Sequence, residues 1–513
     1  MTNKTENNRR IAKNTLMLYV RMGMVLLISL YVSRVVLKVL GEDDYGIYNV
    51  VGGVVVMFSF LSRTLASASQ RYFAFELGRG DHEKLNRIFN INLLLFCIVI
   101  GIIIILAETV GLWFLHHKMT IPADRMYAAN WIYQFSILSF CTNLIAIPYQ
   151  AVIIAREKMH FYAFVGIMEA LLNLTFALLL YFLEWNIDRL IVYGALMLLV
   201  HIITNGGYVI VSRKHFEETK IKYYWEKEQV REIVSYSGWN LFGAIASVVR
   251  SQGINLLINV FFNPAINAAR GLSYQVNTAL NQFASNFYTA VRPQVTKYYA
   301  QGDTSATFSL VFSSSKFCFF LLLIGAVPVL TFPHDVLDIW LVDIPRYTEL
   351  FVVLVIIIGL IDSISNPLMT LAQATGKVRV YQAVCGSVII MNLPVSWLFL
   401  SLGYPAEATM YVAITIAIIA LISRLLMLKS MVDFPILDFI KKVLLRLILT
   451  TVISILFSLS IKGLYNTDAT LVMRVLIFLC SVLVTIISIV TIGLNKHERF
   501  FIIGYLCSRK VTK

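Results

Sequence analysis

This chain is poor in charge. Of its 513 residues only 14% are Asp, Glu, Lys or Arg, while 58% are hydrophobic. Soluble domains carry about 25% charged residues, so no sizeable soluble domain fits in the sequence. The six cysteines (Cys97, Cys141, Cys318, Cys385, Cys480, Cys507) are dispersed and show neither a CxxC nor a Cys/His spacing. That supports neither a disulfide framework nor a metal site. No Walker A, GxSxG or HExxH pattern occurs, so ATP-driven chemistry by this chain alone is not expected. Acids are the scarcer sign, giving a net charge of +14. In a soluble protein that excess would point to nucleic acid. Here the basic residues sit in loops between apolar runs, a pattern that membrane orientation explains first, and no nucleic-acid partner is expected.

What is present is a series of apolar runs. Fourteen are long enough to span a bilayer at 1.5 Å per residue: 15–40, 46–67, 88–112, 127–152, 161–183, 189–211, 236–261, 267–291, 308–332, 348–373, 380–402, 407–428, 439–461 and 470–494. The fold class is an all-α polytopic membrane protein of about fourteen helices. The second and eighth runs are thinned by Ser, Asn and Gln, and such spans are expected to face a cavity or other helices rather than lipid. The basic start Arg9-Arg10-Ile11-Ala12-Lys13 leads into a run too long for a signal h-region, so a retained first helix is expected.

Lys and Arg set the orientation. With the N-terminus inside, the inner segments hold Arg9, Arg10, Lys13, Arg71, Arg79, Lys84, Arg87, Arg156, Lys158, Arg213, Lys214, Lys377, Arg379, Lys441, Lys442 and Lys496. The outer segments hold little beyond Lys118, Arg125, Arg189 and Arg346. Both termini are therefore expected in the cytoplasm. The longest loop, 213–231, falls after six spans, and Tyr223-Tyr224-Trp225-Glu226-Lys227-Glu228-Gln229-Val230-Arg231 suits an interfacial amphipathic helix.

That loop divides the chain. A shift of 222 residues brings Gly80-Asp81 onto Gly302-Asp303, each closing a basic loop after a polar helix. Two parallel six-helix repeats follow, related by an axis along the membrane normal, with substrate bound between them. The expected organisation is an N-lobe at 1–212, a linker at 213–235, a C-lobe at 236–428, and two further helices with a tail at 429–513.

The few charges inside the runs are the candidate site. Arg21, Arg63, Arg250 and Arg270 stand in the first, second, seventh and eighth runs, with Lys316 in the ninth. An ionisable residue at such depth marks a functional path by default, and the guanidinium fork suits phosphate. The competing reading is helix packing, with Glu169 or Asp362 as partners. Arg34 and Lys38 lie toward an end of the first run, where snorkelling serves equally well. Glu169 and Asp362 are candidates for H⁺ or Na⁺ coupling, or for charge pairing; no other cofactor is expected. Asn277, Asn281 and Asn286, with Gln282 and Ser285, form a substrate-facing polar strip on the eighth helix.

One stretch resembles a known family. Val39-Leu40-Gly41-Glu42-Asp43-Asp44-Tyr45-Gly46-Ile47-Tyr48 is similar to the "LG-x-x-x-(Y/F)-G-x-Y" start of bacterial polysaccharide exporters of the O-antigen flippase type, in the multidrug/oligosaccharidyl-lipid/polysaccharide flippase superfamily. The basic Gly-Asp loop, the Val291-Arg292-Pro293-Gln294-Val295-Thr296-Lys297 exit and the six-six-two helix plan resemble it too. The resemblance implies movement of an undecaprenyl-pyrophosphate-linked oligosaccharide to the outer leaflet of the bacterial inner membrane, for O-antigen or other surface polysaccharide. It implies membrane lipids and polysaccharide-biosynthesis enzymes as partners of a monomer. A related lipid II flippase uses arginines of its first, second and eighth helices; Arg21, Arg63 and Arg270 occupy similar helices.

Two other readings compete. A cation-coupled multidrug antiporter of the same superfamily needs mid-membrane acids, and the arginine excess runs against it. A membrane-embedded oligosaccharide polymerase needs a large outer loop, and the longest here are about 109–126 and 333–347. The orientation is directly testable. Reporter fusions at Lys214 and Lys496 are expected to report cytoplasm, and one at His334 the opposite side. A non-cytoplasmic signal at Lys214 overturns the assignment.

Overall fold

The structure, a computed structural model, describes residues 2–499 apart from 57–58, 118, 120, 184–185, 263, 342–343, 464–470 and 497. It is all-α among these residues. The fourteen long helices are α1 (Thr2–Val56), α2 (Ser59–Arg79), α3 (His82–Leu106), α4 (Met126–Ala155), α5 (Met159–Phe182), α6 (Arg189–His215), α7 (Lys227–Phe261), α8 (Pro264–Ala300), α9 (Thr304–Thr331), α10 (Thr348–Ala374), α11 (Val378–Ile390, resuming as Asn392–Ser401), α12 (Ala408–Val432), α13 (Leu445–Gly463) and α14 (Leu471–Ser488). Twelve described helices are long and apolar enough to cross a membrane, which makes the chain a multi-pass membrane protein. The second and eighth runs form helices too, but their polar residues keep them below that threshold.

The first two apolar runs, 15–40 and 46–67, are not separated by a loop at 41–45: α1 breaks at one residue, Gly41 (φ 79°, ψ 175°), and helix resumes at once. Acids at the start of the resumed segment suit a helix N-terminus. Asp44 is held there by Arg125, which also takes Asp188, the N-cap of α6, at 2.6 Å. One guanidinium thus ties three segments at one end of the bundle.

The chain forms two compact units, one of Met1–Leu241 with Thr296–Gly302, the other of Phe242–Val295 with Asp303–Lys513. In unit 1, α1 packs on α5 and α4 on α6. Its apolar core there includes Val51, Ala129, Ile132 and Leu190. In unit 2, α10 packs on both α9 and α12, around Ala269, Phe351, Val355 and Met410. Small residues and interhelical hydrogen bonds hold membrane helices together, since lipid supplies no hydrophobic drive between them. Ser212 donating to the Tyr149 carbonyl at 3.1 Å is one such bond.

The repeat is visible in backbone detail. Gly80 and Gly302 both adopt positive φ (78° and 76°), where a side chain would be strained. Asp81 and Asp303 then cap α3 and α9 with matching geometry, accepting from the Lys84 and Ala306 amides at 2.9 and 2.8 Å. A second matched loop was not evident beforehand. Arg156-Glu157-Lys158 and Thr375-Gly376-Lys377 both follow an in-helix proline, Pro148 or Pro367. Glu157 and Gly376 both have positive φ (60° and 77°).

The linker departs from a continuous interfacial helix. Residues 220–226 have no helix, and α7 begins at Lys227. Asparagines of α3 take the backbone groups that a helix would have used. Asn86 donates to the Glu218 and Lys220 carbonyls at 2.7 and 2.9 Å. Asn90 accepts from the Lys222 amide at 2.8 Å.

Glu157 is the buried anchor of unit 1. Its side chain is 0% exposed and pairs with Lys297. Arg10 lies 3.8 Å away, and Asn14 donates to the Glu157 carbonyl at 3.0 Å. Burial pushes the Lys297 ammonium below its ordinary value, and Glu157 opposes that shift. Removing one partner of a buried pair costs about 3–5 kcal/mol, whereas replacing both is often neutral. Glu157→Gln is therefore expected to lower the thermal midpoint of the purified protein by several degrees, and Glu157→Gln with Lys297→Met to recover most of the loss. If the double variant is no more stable than the single, the pair does not carry that energy.

Candidate functional site

In unit 1 the site is built on α1, α5 and α6. Arg21 projects from α1 onto α5, with its guanidinium carbon 4.6 Å from the centre of the Tyr162 ring. Its Nε lies against Gly166, where even a Cβ would collide, so this close approach requires glycine. The Nε–H is buried and has no hydrogen-bond partner. Tyr162 in turn meets Tyr208 of α6, ring centres 5.9 Å apart. Glu169, one turn beyond Gly166, is within electrostatic reach of Tyr208 and His201. Among the described residues it forms no ion pair with Arg21. The Arg21 charge thus rests on an aromatic face, an interaction worth about 0.5–2 kcal/mol.

In unit 2 the site lies on α7, α8 and α10. Arg250 of α7 binds Asp362 of α10 at 3.0 Å, with side chains 16% and 40% exposed. Arg270 of α8 is buried, stacks 4.6 Å over Tyr274 and donates to the Asn255 amide oxygen. Its Nε–H has no partner. The two arginines are within electrostatic reach of each other, and of the two only Arg250 forms an ion pair among the described residues. The charge-partner reading fits Asp362 by contact, while Glu169 has no such contact among the described residues.

The asparagine strip turns inward. Asn281 donates to the Asn277 side-chain oxygen at 2.8 Å, and both lie against Gly359 of α10. Asn286 is half-buried. The exposed polar row of α8 is the neighbouring face: Gln275, Thr278, Gln282 and Ser285, at helical spacing. The two asparagines are used in packing because a glycine on α10 lets their amides close on its backbone.

Other charges separate cleanly. Arg63 is exposed and has no hydrogen bond or ion pair among the described residues, so the structure does not bring it into the Arg21 cluster. Arg34 is exposed, and Lys38 reaches the Tyr181 hydroxyl at 3.1 Å, as snorkelling residues do. Lys316 is not on an open path. It is 2% exposed and bound by Glu498 at 2.6 Å. Two buried arginines lie outside the candidate set: Arg71, counted among the inner basic residues, and Arg424. Arg71 sits among Tyr72, Phe75 and Tyr236, with ring distances of 4.6–5.2 Å. Arg424 lies in the twelfth run and donates to Ser365 at 3.2 Å. The criterion that found Arg250, a charge inside an apolar run, applies equally to Arg424.

Chemically, Arg21 and Arg270 each present a buried N–H donor without an acceptor, and Arg250 sits beside a displaceable carboxylate. Such forks accept phosphate or carboxylate oxygens bidentately.

No family model matches the chain. It is 20% identical over 322 residues to the Bacillus subtilis (strain 168) protein EpsK, described as an uncharacterized membrane protein; the match spans 61% of this chain and 62% of EpsK. Solved structures are similar over more of the length. An outward-facing multidrug resistance MATE family transporter of the MOP superfamily superposes with a TM-score of 0.70 at 11% identity, over 83% of this chain and 95% of that one. The Vibrio cholerae MATE transporter VcmN in its bent form gives 0.67 at 16%, over 84% and 98%. The MATE transporter ClbM in complex with Rb⁺ gives 0.67 at 15%, over 81% and 94%. At these identities the likeness is one of architecture: the chain has the two-lobed helical fold seen in MATE transporters.

Proposed function

We propose that the protein is a transporter that moves an undecaprenyl-pyrophosphate-linked oligosaccharide across the bacterial inner membrane by alternating access, in surface polysaccharide or O-antigen assembly. In this reading both termini are cytoplasmic and the lobes are residues 1–212 and 236–428. The carrying observation is the pair of arginines, Arg21 and Arg270, that stand in bundle helices with an unpartnered Nε–H and no carboxylate contact among the described residues. A pyrophosphate carries acceptors and negative charge of the kind each of them lacks, and in unit 2 Arg250 is a further donor once Asp362 is displaced.

A second reading is favoured by a specific observation. The fold is that of MATE transporters, and Asp362 is 40% exposed beside Arg250. A cation-coupled multidrug antiporter would use such an acid to bind H⁺, Na⁺ or a cationic drug.

The two readings separate experimentally. In native membranes, Arg21→Ala, Arg250→Ala and Arg270→Ala are each expected to reduce arrival of lipid-linked sugar at the outer leaflet at least tenfold, at unchanged membrane abundance. A charge-assisted hydrogen bond is worth about 1.5–3 kcal/mol. Lysine at the same sites restores part of the activity, and Arg34→Ala is close to unchanged. Normal export in all three alanine variants sinks the cationic site. Asp362→Asn and Glu169→Gln test coupling: loss of ion dependence in an otherwise inserted protein supports it, and normal ion-dependent export by both removes it.

A further inference from the structure

The linker that leaves α6 turns three large side chains outward. Residues 220–226 have no helix, and in an extended stretch alternate side chains point to opposite faces. Ile221, Tyr223 and Trp225 are 56%, 83% and 53% exposed. Tyr224, between the last two, is half-buried against the Arg87 guanidinium. The backbone that carries them is pinned to unit 1. Asn86 and Asn90 of α3 donate to the Lys220 carbonyl at 2.9 and 3.1 Å, Asn90 accepts from the Lys222 amide, and Arg156 holds Glu218 at 2.8 Å. A segment fixed at this many points does not fold its apolar side chains away from water.

The pinning residues also set its level. Asn86 and Asn90 stand where the apolar run 88–112 of α3 begins. Cys97, Gly101 and Ile104 continue the face of Asn90 at helical spacing, and all three are exposed, as residues that face lipid are. The linker therefore crosses the end of a lipid-facing stripe, the boundary at which Tyr and Trp concentrate. Its charge is one-sided there. From 213 to 222 the exposed charges are Arg213, Lys214, Lys220 and Lys222 against Glu217 alone, because Glu218 is buried on Arg156. The next acids, Glu226 and Glu228, fall at the N-terminus of α7, where the helix dipole suits them.

We propose that this linker is a docking surface for anionic phospholipid headgroups. Ile221, Tyr223 and Trp225 sit in the interfacial layer, and Lys220 and Lys222, on flexible stems, reach the lipid phosphates. The positive charge selects an anionic lipid over a zwitterionic one. A soluble protein partner would need the segment to stand clear of the boundary that Asn86 and Asn90 set. The surface belongs to unit 1 and is independent of the substrate reading above.

The test uses the full chain in nanodiscs of phosphatidylcholine, with and without phosphatidylglycerol. Trp225 emission is the difference between the wild-type protein and Trp225→Phe. It is challenged with phosphatidylcholine brominated on its acyl chains and, separately, with aqueous acrylamide. The expected result is quenching by the brominated lipid and protection from acrylamide, both stronger when phosphatidylglycerol is present. Lys220→Gln with Lys222→Gln is expected to lose that phosphatidylglycerol increment. Asn90→Ala, which frees the linker backbone, is expected to lose quenching by the brominated lipid, and the lysine variant keeps the test open if Asn90→Ala does not fold. Trp225 emission quenched by acrylamide and untouched by brominated lipid overturns the proposal and leaves the surface to a soluble partner. Equal quenching with and without phosphatidylglycerol, or an undiminished increment in the lysine variant, overturns the anionic assignment.

Discussion

An ionised side chain in a medium of low dielectric must find a partner. Burying one alone costs several kcal/mol, and an arginine near the bilayer centre costs about 2.5–3.5 kcal/mol even on insertion scales. The architecture can be read as a set of answers to that constraint. Arg125 is answered by Asp44 and Asp188, Lys297 by Glu157, Lys316 by Glu498, and Arg474 by Asp338 at 2.6 Å. Each of these pairs joins segments distant in sequence, so each also fixes packing. Arg71 is answered partly by aromatic faces. What remains are Arg21, Arg270 and Arg424, whose described contacts are aromatic or neutral. Ion pairing thus sets these three apart from the paired charges, a distinction that depth along a helix alone could not supply.

The repeat shows how the two units diverged within one backbone plan. The loop after α4 and the loop after α10 share a positive φ at the same distance from an in-helix proline. Glycine suits that conformation, and Gly376 occupies it in unit 2. Unit 1 places Glu157 there instead, accepting strain to bring a carboxylate to Lys297 and Arg10. The same registration sets Asn143 against Asp362, each five residues before its proline. The acid that pairs with Arg250 thus belongs to one half only. Backbone geometry is common to both units, while charge is distributed unevenly between them.

Much of the fold was legible in the sequence, because bilayer thickness converts apolar run length directly into helices. The weak second and eighth runs were legible as polar helices for the same reason. The sequence was silent where a single residue decides. Gly41 replaces a loop with a kink, and Asn86 and Asn90 hold the linker backbone out of a helix; neither effect has a periodic signature. In unit 2, Asp362 was legible as a charge partner from its depth, but which arginine it pairs with was not. Nor was the Arg21–Gly166 approach, since nothing in the sequence shows which glycine a distant arginine will need. Lys316 misled because its partner, Glu498, lies 182 residues away in a segment read as a tail.

The balance of charge bears on which cargo suits the fold. In unit 2 a cationic drug or a coupling ion would compete with Arg250 for Asp362. Freeing that acid for a cation leaves Arg250 uncompensated beside Arg270, so binding a positive cargo requires separating one ion pair and exposing two like charges. An anionic headgroup meets the reverse situation. It satisfies Arg270 without displacing a carboxylate, and when it draws Arg250 as well the released Asp362 is 40% exposed and free to take a proton or a metal cation. The proposed flippase reading draws on Arg21, Arg250 and Arg270 together, whereas the antiporter reading draws on Asp362.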